Sequence, residues 1–316
     1  MGVVKVNAEP MSQVQMLVAN LNHRPYWFGQ FPNPITVPLL DFPTKTAFCW
    51  IPKNLCTHFK ALFCRQKMPG FTSKKDDRNL LLKFDWIHQK CFTPDTGITL
   101  FHRKKHSGLW GTTDWTKFAI LRHPFDRLFS AYKDKCLTKR KYCYDCGENL
   151  GCFLFSHYKY INALSRSTEK LEAPGDKAHV ADHFYPQSWF CDFQNHMKDW
   201  TLLYYNHTDS FRKSVRDILK KAGWNASIID TGWGFEQDQA FMGPNTVHET
   251  KKARYDKYKL LFDNNLYYID LAFKTYIVDF LLFKFQLPSN VRTLCGNLTS
   301  VERTNYQVCD YAVLLQ

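Results

Sequence analysis

A chain of 316 residues, 45% of them hydrophobic, is long enough to bury a large core. Its 42 basic against 29 acidic residues leave a formal charge of +13, which points to an anionic partner: a nucleotide, an acidic polysaccharide, nucleic acid or a membrane surface. The length fits either one large α/β domain or two smaller ones; no internal repeat, low-complexity tract or Gly/Ser-rich linker divides the sequence, which favours one. That reading gives residues 1–43 as an N-terminal extension, 44–290 as the domain and 291–316 as a C-terminal tail.

In chain order, residues 1–30 contain no apolar run of the length a signal peptide or membrane anchor needs. Either a targeting segment is missing or the protein is not luminal. Residues 33–41 are punctuated by proline and read as a lead-in loop. Residues 46–51, TAFCWI, form the first convincing buried strand. The loop Pro52, Lys53, Asn54, Leu55, Cys56 follows, and a helix predicted over 57–67 stops at Pro69-Gly70. Strand, short loop, helix is phosphate-binding geometry: backbone N–H groups and the positive end of the helix dipole face the loop. Lys53 adds a cation and Thr57 a hydroxyl. The glycines of a Walker A loop are absent, which disfavours an ordinary NTPase. Residues 100–115, LFHRKKHSGLWGTTDW, are the densest cationic patch. They read either as a surface loop or as a glycan track, with Arg103, Lys104 and Lys105 pairing anions and Trp110 stacking on a sugar.

A second phosphate-binding element is predicted over residues 116–136. Residues 118–121 are a buried strand with Arg122 at its carboxyl end, where open α/β sheets bind ligands. A helix starts at Asp126 with Leu128, Phe129 and Tyr132 facing the core, leaving Arg122, Arg127 and Ser130 to reach a phosphate. Four of the eleven cysteines, Cys136, Cys143, Cys146 and Cys152, crowd residues 136–152, and Asn-x-Ser/Thr sequons begin at Asn206, Asn225 and Asn297. Together they favour an oxidising lumen and disulfides. Zinc competes for the CxxC at Cys143 and Cys146, but a second ligand pair is lacking. The odd count leaves a thiol unpaired. Residues 182–205 combine a His-aromatic-x-Pro turn at His183 with an apolar strand over 200–205, and Cys191 is expected in a disulfide. An amphipathic helix follows over 208–223, then a loop-rich passage over 232–250, then a helical pattern over 253–263. Asp270, Lys274, Asp279 and Lys284 interrupt the apolar stretch 269–287, which therefore reads as a core helix and strand rather than a membrane span.

PKNLCTHFKALF, residues 52–63, resembles the 5′-phosphosulfate loop of the Golgi carbohydrate sulfotransferases related to chondroitin 4-sulfotransferase and the HNK-1 sulfotransferase. LRHPFDRLFSAYKDKC, residues 121–136, is similar to their 3′-phosphate motif. YIVDFLLFKF, residues 276–285, resembles their late Tyr-x-x-Asp-Phe element, and CYDCGENLGCF is similar to divergent nematode members. The resemblance implies a P-loop-like sulfotransferase fold, a central parallel sheet flanked by helices, with a Cys-rich insertion at 136–152. It implies the co-substrate 3′-phosphoadenosine 5′-phosphosulfate (PAPS), no metal, and a Golgi location. Lys53 would contact the transferring sulfuryl group, Thr57 and the backbone from Pro52 through Asn54, Leu55 and Cys56 would hold the 5′-phosphate, and Arg122 and Ser130 the 3′-phosphate. Thr250 and Lys251 fall in a late loop that approaches the cofactor in that family, although a helix cap explains Thr250 equally well. Two departures stand out: Asn54-Leu55 replaces a smaller pair and could restrict approach to phosphate, and His123 replaces an acidic residue.

His183 is the candidate general base for a sugar hydroxyl, against the alternative of a structural turn histidine. The expected acceptor is a glycan, anionic in character, with no nucleic-acid partner and membrane association only through an anchor not evident in the chain. Two other classes share these features. A nucleotide or small-molecule kinase needs Mg²⁺ ligands and a Walker-type loop. A non-catalytic polyanion-binding protein keeps the basic surface and loses the cofactor.

Overall fold

The buried run TAFC forms β2, Thr46–Cys49, and the sheet is built outward from it. The computed structural model describes residues 38–67, 98–100, 109, 112–138, 143–166, 181–206, 208–233 and 249–314. They fall into two compact units, one drawn from 35–122 and 190–247, the other from 123–189 and 248–316.

The first unit holds a five-stranded sheet in the order β3-β1-β2-β4-β5. Besides β2 its strands are β1 (Pro38–Asp41), β3 (Ile98–Leu100), β4 (Thr116–Leu121) and β5 (Thr201–Tyr204). β2, β4 and β5 are parallel, with Phe48 opposite Phe118 and Leu121 opposite Tyr204. β1 pairs antiparallel with both β2 and β3. The sheet is thus parallel where β2, β4 and β5 lie side by side and mixed as a whole. Residues 38–41, expected in a loop, are a fully buried strand. Pro38 is tolerated as a first strand residue, and the turn into β2 is closed by Lys45 N–H on Phe42 O (3.1 Å) and Thr44 Oγ1 on Asp41 Oδ2 (2.6 Å).

One face of this sheet packs on helix α1, Cys56–Lys67, through Phe48, Phe59, Phe63 and Phe118. The Phe48 and Phe59 rings stack at 4.3 Å. Thr208 caps helix α4, Asp209–Lys221, by accepting from Phe211 N–H, and α4 adds Phe211, Val215 and Leu219 to the same core. Helix α5, Ala226–Trp233, contributes Ile229. Trp224 donates its indole N–H to Thr46 Oγ1 at 3.0 Å. Cys49, at the end of β2, is disulfide-bonded to Cys191, the partner that sequence alone left open.

The second unit is helical. Helix α2 spans Pro124–Tyr132 and runs into π-helical turns over Lys133–Thr138; α3 is Leu150–Arg166, α6 Glu249–Asp263 and α7 Leu266–Leu282. The stretch 269–287 is therefore one helix followed by loop, with no strand among its described residues. α7 departs from helical dihedrals at Tyr276 (φ −115°, ψ 16°). The preceding Thr275 hydroxyl donates back to Leu271 O at 2.8 Å, a bond that bends helices. Residues 289–314 carry helices α8 (Ser289–Gly296), α9 (Ser300–Arg303) and α10 (Gln307–Leu314), and the Cys295–Cys309 disulfide ties α8 to α10. Disulfides Cys136–Cys143 and Cys146–Cys152 close the Cys-rich insertion, as its cysteine density leads one to expect.

Candidate active site

In the first unit, β2 ends at the loop Ile51 to Leu55 and α1 begins at Cys56. Lys53 and Leu55 hold left-handed backbone, φ +72° and +61°, which costs a non-glycine residue on the order of 1–2 kcal/mol. Such alternating handedness is the backbone form of anion-holding concavities, although the N–H of Asn54 is committed to Ile51 O at 3.1 Å. The first turn of α1 contains no acidic residue, so nothing on the helix itself opposes an anion at its positive end. Thr57 is exposed in that turn, while Lys53 is half-buried.

The bulk of Asn54 and Leu55 is turned away from this concavity. Asn54 is buried and donates Nδ2 to Ile120 O of β4 at 2.7 Å, and Leu55 packs against the core of the sheet. The larger pair therefore anchors the loop without blocking approach to its backbone. Cys56 keeps a buried thiol, which donates to Ile51 O at 2.8 Å. Pro52 is buried beneath the loop.

Parallel pairing of β2 with β4 places the two carboxyl ends side by side, and Arg122 follows β4 directly. Its Nη1 lies 3.5 Å from Lys53 O, and its guanidinium sits 5.5 Å from the centre of the Tyr205 ring. Tyr205 is positioned by its N–H on Leu121 O at 2.7 Å. One loop and two strand ends thus bring Lys53, Thr57 and Arg122 together around the α1 N-terminus. Tyr205 was not singled out for this role from sequence, where it is the last residue of the strand expected over 200–205; in the structure it lies just past the end of β5.

Ser130, His183, Thr250 and Lys251 belong to the second unit. Ser130 is half-buried on α2. Thr250 and Lys251, expected in a loop, begin α6 instead; most of the passage before them, including His248, lies outside the described residues, as do Arg103, Lys104, Lys105 and Trp110. His183 places Nδ1 2.6 Å from Asp182 Oδ1. A carboxylate at Nδ1 holds the imidazole in the tautomer with Nδ1 protonated, which leaves Nε2 as the acceptor nitrogen.

Two residues singled out in the sequence, Arg127 and His123, are packed into the second unit. Arg127, expected to reach a phosphate, is fully buried and donates to Tyr185 O at 2.5 Å. His123 lies against Phe125, Phe280 and Phe285, with Nε2 3.0 Å from Gln286 O. Burial lowers its pKa, so neutral His123 is a packing residue in the place of an acid. Among the described residues no group of His, Cys, Asp and Glu could hold a metal ion.

Comparison with known proteins adds an independent line. The model of the sulfotransferase family matches residues 42–286. A curated relative, carbohydrate sulfotransferase chst-1 of Caenorhabditis elegans, is 24% identical over 250 residues, covering 76% of this chain and 72% of the relative. A second C. elegans protein, itself uncharacterised, is 24% identical over 181 residues, covering 56% of this chain and 49% of its own. No solved structure matches the chain significantly.

Proposed function

The chain belongs to the sulfotransferase family, and from that premise we propose that it transfers the sulfuryl group of PAPS to a hydroxyl of a glycan, with Lys53 stabilising the departing phosphate. The observation that carries this reading is the left-handed loop at Lys53 and Leu55, which opens onto an acid-free helix N-terminus beside Arg122. Fixed N–H donors and two cations suit a bisphosphorylated nucleotide, and they are arranged before any ligand arrives, so little reorganisation is required when charge develops.

PAPS, when bound, supplies the activated sulfuryl group. Lys53 and the loop N–H groups would neutralise the charge that gathers on the 5′-phosphate oxygen as the S–O bond breaks. Thr57 would donate its hydroxyl to the same phosphate. Arg122 would pair with the 3′-phosphate as a planar fork, and Ser130, Thr250 and Lys251 keep the cofactor roles that the family resemblance implies. His183, oriented by Asp182, would take the proton of the attacking hydroxyl at Nε2.

The name of the C. elegans relative supports a carbohydrate acceptor, and the +13 charge supports an anionic one. Four disulfides among the described cysteines and the three sequons support passage through an oxidising lumen, the Golgi on this reading. No helix among the described residues is long and apolar enough to cross a membrane.

The test is isothermal titration with 3′-phosphoadenosine 5′-phosphate (PAP) in the presence of a chelator. Metal-independent binding at micromolar or tighter affinity is expected. Binding of ATP that requires Mg²⁺ would make the protein a kinase. Binding of heparin with no response to PAP would make it a polyanion-binding protein without the reaction.

A further inference from the structure

Residues 184–188 of the second unit, FYPQS, follow directly after the Asp182–His183 pair and lead into the single 3-10 turn Gln187–Trp189, and several of their backbone groups have no backbone partner within it. Those groups are taken up by side chains from three helices. Tyr276 of α7 donates its hydroxyl to Phe184 O at 2.8 Å, and His157 of α3 places Nε2 3.2 Å from the same oxygen. Arg127 of α2 donates to Tyr185 O at 2.5 Å. Asp279, one helical turn beyond Tyr276, accepts Gln187 N–H at 2.7 Å on one carboxylate oxygen and Ser188 N–H at 2.8 Å on the other. Pro186, between them, has no N–H to satisfy.

All four side chains are buried to within 1% of complete exclusion from solvent. Burying an arginine, a carboxylate and an imidazole costs several kcal/mol in desolvation, so a core built for stability alone would use apolar residues. Here every such group faces the same short segment. Burial pushes the Asp279 carboxyl above the ordinary carboxylate range, and the Ser188 and Gln187 N–H bonds and the Arg127 guanidinium act against that rise. His157 is matched on both nitrogens: Phe184 O can only accept, so Nε2 carries the proton, and Nδ1 accepts from the Tyr144 hydroxyl at 2.8 Å. Tyr144 lies between the two disulfides of the Cys-rich insertion, which therefore ends one arm of the network.

We propose that Arg127, His157, Tyr276 and Asp279 are positioning residues, a buried polar clamp that fixes residues 184–188 and thereby holds the His183 imidazole in its working orientation. The clamp takes hold one residue after His183 and leaves the segment little freedom to rotate. A displacement of about 1 Å at a catalytic group costs up to roughly a hundredfold in rate, which gives buried charges a function that apolar packing would not serve. The proposal rests on the assignment of His183 as the general base.

The experiment measures two quantities in Asp279→Asn: the pKa of His183, from NMR titration of its ring resonances, and turnover with radiolabelled sulfate donor, with PAP affinity as the control. Asparagine keeps the shape but opposes an NH₂ group to one backbone N–H. The expected result is a displaced His183 resonance and pKa, turnover down roughly 10- to 100-fold, and PAP affinity within about threefold of wild type. A His183 resonance and pKa identical to wild type overturn the clamp. A displaced resonance with undiminished turnover, together with full activity of His183→Ala, leaves the clamp standing and removes His183 as the base. Should Asp279→Asn fail to fold, Tyr276→Phe deletes a single hydroxyl and is read in the same way.

Discussion

Lys53 combines two properties that rarely meet in one residue: a backbone held at positive φ and a side-chain cation proposed to meet developing charge. Its removal should therefore separate binding from chemistry. Lys53→Ala is expected to lower turnover about a hundredfold or more, the effect of deleting one oxyanion donor, while PAP affinity falls much less; unchanged turnover with radiolabelled donor removes Lys53 from the mechanism. Arg122 tests differently, because it also reaches Lys53 O and stacks near Tyr205. Loss of a charge-assisted phosphate pair should cost roughly 1.5–3 kcal/mol, and if the pair is with the 3′-phosphate the loss appears with PAPS and not with adenosine 5′-phosphosulfate. Equal weakening of both nucleotides would mean that Arg122 serves the loop rather than the 3′-phosphate. At this scale the sequence was legible where chemistry is local. Lys53, Thr57 and Arg122 follow predicted strand ends and could be named. The inward turn of Asn54 and the burial of Arg127 could not, since each is fixed by a carbonyl 66 or 58 residues away.

Among the elements, the Cys-rich insertion is the most exposed to test. Its disulfides close loops of separation 7 and 6, and loop-closure entropy assigns each about 2–2.5 kcal/mol. Mild reduction should lower the melting temperature and, through Tyr144 and His157, loosen residues 184–188, with faster amide exchange there; a chelator should change neither. Stoichiometric zinc with free thiols in the purified protein contradicts the assignment. The elements that sequence reading located, β2, α1, β4, α2, β5 and α4, all show a sharp change from apolar run to cap or turn. β1 was missed because the prolines of residues 33–41 signal a loop, and only pairing with both β2 and β3 makes residues 38–41 a strand. The helix-plus-strand reading of 269–287 failed for a related reason: the bend at Tyr276 breaks the apolar periodicity without ending the helix.

At the scale of the whole molecule, two fully buried imidazoles among the described residues contribute to the response to acid. Burial lowers His58 in the first unit to about 4 and His157 in the second to about 3. Both folded values lie below the ordinary 6.5, so the unfolded chain takes up these protons first. Stability is fully present above about pH 6.5 and is lost as pH falls toward 4 and 3, at up to about 1.4 kcal/mol per pH unit for each histidine. Burial raises Asp270 and Asp279, which acts in the opposite sense above the ordinary carboxylate range, so the clean measurement is a difference. Denaturant midpoints of wild type and His157→Gln from pH 7 to 5 should converge as pH drops, and a constant gap would show that His157 is not held neutral by the fold. The Cys49–Cys191 bond spans 142 residues, and it carries a consequence for biosynthesis. At about 5–20 residues per second, a nascent chain waits roughly 7–30 s between making Cys49 and making its partner, whereas Cys56 and Cys64 emerge within about 3 s. A shorter delay, roughly 4–16 s at the same rate, separates the end of β4 at Leu121 from the start of β5 at Thr201. Nearby cysteines thus have first access to Cys49, and the wrong early pairing must be undone by thiol exchange before the last strand can close the sheet.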